Sequence, residues 1–225
     1  MRTSRRRLLL IDDKKRVGCL HAHHSNIDYI EKALSPHHIE CVHFVDPGLI
    51  NRVTSDESFD DIAAQRKVNE QLHHIAKSNV DAILITCTNY IALLRQDTLL
   101  IDVPIIKIDE PFFEHICNIA QRQTIVFTNP ATVTGTMERL YEYAKRHNKE
   151  IDIYVETIDD AFELIMQGAK RAYDDKIMQF LQVAANENRV ISVAQLSMVD
   201  DATAFEHLTS TVIANPLNPL IAQVC

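Results

Sequence analysis

Cys87 stands in Thr86-Cys87-Thr88-Asn89, between the uninterrupted apolar run Ala82-Ile83-Leu84-Ile85 and a segment from Tyr90 that can begin a helix. A thiol at a helix N-terminus feels the positive end of the backbone dipole, which lowers its pKa toward the reactive range. Thr88, Asn89 and the free N–H groups of the turn suit a carboxylate. A lone cysteine can equally be a small buried thiol with no chemistry. His21-Ala22-His23-His24-Ser25-Asn26 closes the first apolar strand segment. Two imidazoles at i and i+2 off a strand end suit a metal hydrolase, because alternate residues point the same way. A complete site needs more ligands, and His37, His38, His43, His73, His74 and His115 come without carboxylates at a telling spacing. No metal is therefore assigned. The other role for His21 is as a base or orienting partner for Cys87 across adjacent strands.

Thr128-Asn129-Pro130-Ala131-Thr132-Val133-Thr134-Gly135-Thr136 places hydroxyls and an amide at the start of a helix. Thr128, Asn129 and Thr132 suit a small carboxylate, while other hydroxyls of the run serve as N-caps. Asp109 and Glu110 end a strand and read either as an acid/base couple or as caps of the helix that Pro111 opens. Asp46-Pro47-Gly48 reads as a turn.

These residues need a scaffold that brings strand ends together. Arg16 to His21, Ile39 to Val45, Val80 to Thr86, Val103 to Asp109, Thr124 to Thr128, Ile151 to Val155 and Arg189 to Ala194 read as strands. Amphipathic segments alternate with them, among them Asn26 to Leu34, Phe59 to Ala76, Val133 to His147 and Asp159 to about Asn186. That spacing is of βαβ units and predicts parallel sheets. Cys87 lies 66 positions after His21, and Gln195 lies 67 after Thr128, so the second half repeats the first. Two such lobes present their strand ends to a shared cleft, where open parallel sheets bind ligands.

The 225 residues suffice for one large domain or two small ones, and 46% hydrophobic with 24% charged residues is a globular composition. No apolar run approaches the ~20 residues of a membrane span. A formal net charge of −8 argues against nucleic-acid or anionic-membrane partners. Arg2, Arg5, Arg6 and Arg7 precede only a short apolar stretch, Leu8 to Ile11, and are expected to form a frayed cytoplasmic N-terminus rather than a signal. The five cysteines include no C-x-x-C pair, which predicts a reducing compartment and neither a disulfide framework nor a thiolate zinc site. Gly18, Gly48, Gly135 and Gly168 are at least thirty residues apart, excluding glycine-fingerprint dinucleotide folds and Walker-type NTPases.

Together these residues resemble the aspartate/glutamate/hydantoin racemase superfamily over nearly the whole chain, from Arg16 to Pro216. Asp81-Ala82-Ile83-Leu84-Ile85-Thr86-Cys87-Thr88-Asn89 resembles its first cysteine motif, and Val103-Pro104-Ile105-Ile106-Lys107-Ile108-Asp109-Glu110-Pro111 the strand and Glu-Pro step that follow. Thr128-Asn129-Pro130-Ala131-Thr132 is similar to the threonine-rich substrate loop, and Val45-Asp46-Pro47-Gly48-Leu49 resembles a stretch of uncharacterised members. The resemblance implies one catalytic cysteine per lobe and no cofactor. The sequence departs from it at the second cysteine, where Val193-Ala194-Gln195-Leu196-Ser197-Met198 places Gln195, whose amide neither takes nor gives a proton near neutral pH. His21 likewise stands where glutamate racemases carry an acidic residue.

The expected fold is α/β, with two pseudo-symmetric flavodoxin-like lobes, each a mainly parallel sheet flanked by helices. The first comprises residues 1–102 plus 199–225, the second 103–198. The expected function is cofactor-independent chemistry at the carbon α to a small carboxylate. Cys87 is the acid/base or nucleophile, tuned by His21, and Thr88, Asn89, Thr128, Asn129, Thr132, Gln195 and Ser197 bind substrate. The alternatives are a single-cysteine decarboxylase or lyase, a catalytically silent carboxylate-binding protein, and a metal hydrolase on His21 and His23. A cytoplasmic homodimer or higher homo-oligomer is expected by base rate.

Overall fold

The computed structural model describes residues 14–95, 99–187 and 189–225. The N-terminal arginine block lies outside the described residues. Among the described residues, eight parallel strands form two sheets: β1 (Lys15–His21), β2 (Ile39–Val45), β3 (Ala82–Ile85) and β4 (Ile105–Lys107) in the order β2-β1-β3-β4, and β5 (Gln123–Phe127), β6 (Ile153–Thr157), β7 (Val190–Val193) and β8 (Ile213–Ala214) in the order β6-β5-β7-β8. The two orders are the same, which makes the lobes pseudo-symmetric and equates β3 with β7. In both lobes the central strands are buried on both faces and mostly apolar, with Gln123, Thr124 and Ser192 as buried polar exceptions in the second, as helices on either side of a parallel sheet require.

Ten helices cover the described parts of these sheets: α1 (Asn26–Leu34), α2 (Gly48–Ser55), α3 (Asp61–Ala76), α4 (Thr88–Leu93), α5 (Asp109–Cys117), α6 (Val133–Arg146), α7 (Ala161–Met166), α8 (Lys170–Asn186), α9 (Val199–Thr209) and α10 (Leu217–Val224). Asp60 caps α3 by accepting from the Ala63 N–H at 2.8 Å. Gly18 has no side chain because α3 packs onto β1 there; a Cβ would collide with Ile75 and press on Val80. The turn expected at Asp46-Pro47-Gly48 is the start of α2: Asp46 Oδ1 accepts from the N–H groups of Gly48 and Leu49 at 2.9 and 3.3 Å. Only Leu49 of that helix is buried, so it has little apolar periodicity to announce it. Among the described residues, no helix is long and apolar enough to cross a membrane.

The sheets divide the chain differently from the expected lobe boundaries. β4 pairs with β3, so the first sheet extends past residue 102. β8 pairs with β7, and Ala202, Phe205 and Ile213 pack in the second lobe's core with Tyr173 and Ile177. Of residues 199–225 it is chiefly α10 that returns to the first lobe, burying Leu217, Leu220 and Val224 against Val17, Ile30 and Leu34.

One buried carboxylate strains this packing. Asp201 on α9 is buried near Lys170 and Asp174 of α8, and its Oδ2 has no hydrogen-bond partner among the described residues. Burial, with the Asp174 and Asp200 charges, pushes its carboxyl up to about 6 against the pull of Lys170. An unfolded aspartate releases its proton at lower pH than this folded one, so the folded protein loses stability as pH rises from about 4 to about 6. Asp201→Asn is expected to stabilise the protein at pH 7 by about 1–3 kcal/mol. Urea unfolding at pH 4 and pH 7 checks this: the wild type gains relative stability in acid and the variant does not.

Candidate active site

The C-terminal ends of both sheets open into one cleft of about 470 Å³, lined from the first lobe by Ala22, His23, Ser25, Asn26 and the run Thr86 to Asn89. Thr128, Asn129, Thr132, Thr136 and the run Ala194 to Ser197 line it from the second. Cys87 is two residues past the end of β3, and Gln195 two past the end of β7, so they occupy equivalent places in the two lobes. Eight of the nine sequence-selected residues therefore share one cleft, and His21 does not line it.

Cys87 is the N-cap of α4 and half-buried. Burial pushes its thiol above the ordinary cysteine value, and the nearby backbone N–H groups of Tyr90 and Asn89 oppose that rise without cancelling it. The depressed pKa expected of a helix N-terminus is thus outweighed by desolvation: α4 has only six residues, and the surrounding protein partly desolvates the sulfur. Cys87 rests as a neutral thiol. Among the described residues, nothing hydrogen-bonds the side chains of Thr88 and Asn89, which flank it facing the cleft.

The second lobe is arranged differently. Gln195 Oε1 accepts from Thr128 N–H at 2.7 Å, Thr128 Oγ1–H at 2.8 Å and Asn129 N–H at 3.0 Å, while Gln195 Nε2 donates to Thr132 Oγ1 at 3.1 Å. The donors that suited a carboxylate converge on a single oxygen, and the chain's own amide supplies it. Asn129 Oδ1 also accepts from Ala131 N–H at 3.0 Å, so part of this loop is local capping. Ser197 Oγ accepts from Tyr173 O–H at 2.8 Å.

His21 lies beneath the cleft, fully buried, with Nδ1 2.8 Å from Thr86 Oγ1 and Nε2 2.8 Å from His43 Nδ1. Any influence on Cys87 passes through Thr86. Burial first, and His43 second, lower its pKa to about 4, so the ring is neutral. His21 and His23 do not converge: β1 ends at His21, strand alternation ends with it, and His23 is exposed with Nδ1 2.8 Å from Ser25 Oγ. The metal-hydrolase pair is not formed. The histidine that meets His21 is His43, brought there by the pairing of β1 with β2.

Asp109 was readable only as half of an acid/base couple or as a cap. It is the first residue of α5, buried, facing the cleft and ion-paired to Arg139. Its Oδ1 has no partner among the described residues, and burial raises its pKa against the pull of Arg139. Glu110 instead pairs with Lys107 at 2.8 Å. Ile108, Phe112, Phe113, Phe162, Ile165 and Met166 give the cleft an apolar wall, and its described lining includes no lysine or arginine.

No family model and no curated protein matches the chain. Solved structures do. The allantoin racemase of Klebsiella pneumoniae superposes with a TM-score of 0.63 at 18% identity, over 93% of this chain and 86% of that one. Aspartate racemase of Picrophilus torridus gives 0.65 at 13%, over 93% and 92%. Glutamate racemase of Francisella tularensis, in complex with D-glutamate, gives 0.63 at 14%, over 95% and 80%. The chain has the two-lobed racemase fold. In this racemase fold the equivalent strand ends of the two lobes carry Cys87 on one side and Gln195 on the other.

Proposed function

We propose that the protein is a cofactor-independent, racemase-like isomerase of the aspartate/glutamate/hydantoin racemase superfamily, acting at the carbon α to a carboxylate or related acyl group. The observation that carries this reading is a single thiol at the end of β3, in a cleft between two lobes, with the side chains of Thr88 and Asn89 beside it unused by the described residues.

A substrate carboxylate accepts hydrogen bonds from Thr88 and Asn89, and the α-carbon lies against the sulfur. The neutral Cys87 thiol donates its proton to an enolate carbon, or as thiolate removes one, with the Asn89 and Tyr90 N–H groups stabilising the negative sulfur. Asp109 is the other proton-handling group: its Oδ1 has no partner among the described residues, and burial holds its carboxyl above the ordinary aspartate range. Arg139 holds its carboxylate in place. Ser197 donates to the developing oxyanion, and Gln195 fixes the loop of Thr128, Asn129 and Thr132 beneath the substrate. His21 orients Thr86. With no cation in the described lining and an apolar wall from Ile108 to Met166, the substituent on the α-carbon is apolar or a neutral ring.

A second reading is favoured by Gln195 itself. Its amide fills the oxyanion nest of the second lobe, which suits one-sided chemistry, decarboxylation with protonation by Cys87, or binding without turnover.

Incubation in D₂O with amino acids, hydroxy acids, substituted malonates and hydantoins, followed by proton NMR, tests these readings. Deuterium incorporation at one α-carbon supports the isomerase, and carbon dioxide loss with deuterium uptake supports the decarboxylase. If the panel stays inert while a carboxylate raises the melting temperature, the protein binds without catalysis. Asp109→Asn is expected to lower exchange by about 10²-fold and to remove the rise of rate with pH that its ionisation produces. Rate–pH profiles of the variant and wild type compare the two directly.

A further inference from the structure

We infer that the first lobe holds a zinc site outside the cleft, built by Cys19 and His21 of β1 and Cys41 and His43 of β2. Each strand carries the same Cys-x-His spacing, so both side chains of a strand project to one face. The parallel register sets Cys41 opposite Val17, Cys19 opposite His43 and His21 opposite Val45, which puts the four residues on one face of the two strands with the Cys19–His43 pair in the middle. The ligand atoms of Cys19, His21 and His43 all lie within 4.8 Å of one another, and those of Cys41, His43 and Glu31 do the same. His43 belongs to both groups, so it joins the β1 pair to Cys41 of β2. Two sulfurs and two nitrogens are a preferred donor set for tetrahedral zinc.

The surroundings of both imidazoles fit ligation. His21 Nε2 and His43 Nδ1 face each other at 2.8 Å. Their other nitrogens already have partners: His21 Nδ1 meets Thr86 Oγ1 at 2.8 Å, and His43 Nε2 meets the Glu31 carboxylate at 2.9 Å. Metal-bound histidines are held in this way, with the non-ligating N–H given to a carboxylate or another oxygen acceptor. Without an ion, one proton shared between the facing nitrogens completes a chain from Thr86 to Glu31. Zinc takes the place of that proton, which moves to His21 Nδ1 while the two thiols release theirs to solvent, and the nitrogens need part only to about 3.3 Å, the spacing that tetrahedral Zn–N bonds of ~2.0–2.1 Å impose. Thr86 then turns its hydrogen to Leu20 O, 3.2 Å away.

Charge and access agree. Two thiolates cancel the dication, so the loaded site buries no net charge. Cys19 and His21 are fully buried, whereas His43 is 15% and Glu31 42% exposed in their side chains, which leaves an entry from solvent beside α1. The ion clamps β1 to β2 and takes no part in the chemistry of the cleft.

The test uses the untagged full chain, reduced and freed of metal by a chelator. Titration with Co²⁺ is expected to saturate at one equivalent with the visible bands of a tetrahedral ion and a near-ultraviolet thiolate-to-cobalt band. Added Zn²⁺ bleaches both and raises the melting temperature. Cys41→Ser and His43→Gln are expected to weaken binding by at least ~10²-fold, and His115→Ala, at an exposed position, to leave it unchanged. Cobalt binding without the thiolate band, or no saturable binding by the wild type, overturns the proposal. So does equal binding by folded Cys41→Ser and His43→Gln variants. The wild-type spectrum decides even where a variant fails to fold.

Discussion

Cys87→Ala is expected to lower α-proton exchange by roughly 10²–10⁴-fold while leaving the fold and carboxylate binding nearly intact. The large effect on rate follows from position. Cys87 is the only thiol that lines the cleft among the described residues, and it is the one that adjoins Thr88 and Asn89. The small effect on stability has its own cause. The side chain is half-buried and caps no helix N–H with good geometry, so alanine removes one sulfur and little packing. Cys87→Ser separates acidity from shape: a hydroxyl fits the same space, but its far higher pKa prevents it from exchanging protons at a useful rate. Proton NMR in D₂O and the melting-temperature rise caused by a bound carboxylate are measured on the same samples. Wild-type exchange rates in the Ala and Ser variants would remove Cys87 from the mechanism.

The part of this architecture that local chemistry dictates was legible in the sequence. Apolar runs such as Ala82-Ile83-Leu84-Ile85 marked the buried strands, and the near-equal spacing of Cys87 and Gln195 from the ends of β1 and β5 marked the repeat. What was not legible depends on pairing at a distance. The partner of a three-residue strand such as β4 is set by the sheet, not by its own residues, so the lobe boundary was misplaced. Asp109 looks like any acidic residue at a helix start until its burial, its Arg139 partner and its free oxygen are seen together. The approach of Cys19 and His21 to His43, and of His43 to Cys41, requires the β1–β2 register, which strand patterns leave open. The thiol pKa failed for a different reason: a helix dipole is visible in sequence, whereas the desolvation that exceeds it belongs to the tertiary packing around Cys87.

Gln195→Cys is expected to change the stereochemical course of the reaction. In the wild type, three donors from Thr128 and Asn129 converge on Gln195 Oε1, so an amide occupies the oxyanion position of the second lobe. On the one-sided reading, only one face of the substrate then meets a thiol, and exchange proceeds with retention. Cysteine is shorter than glutamine by two heavy atoms, so its sulfur stops short of Thr128 N and leaves the three donors to the substrate carboxylate. Its thiol also stands two residues past β7, as Cys87 stands two past β3, which presents a proton carrier to the opposite face. The variant is therefore expected to epimerise a substrate that the wild type only deuterates, which chiral chromatography of the D₂O product detects. Gln195→Ala isolates the other half of the change. It frees the donors without adding a thiol, and leaves them unsatisfied at a cost of about 1–3 kcal/mol that a small carboxylate relieves by binding. A carboxylate should accordingly raise the melting temperature of Gln195→Ala more than that of the wild type. Retention in Gln195→Cys despite tight carboxylate binding would mean that the end of β7 does not face the α-carbon, and that the pseudo-symmetry of the sheets does not extend to the chemistry.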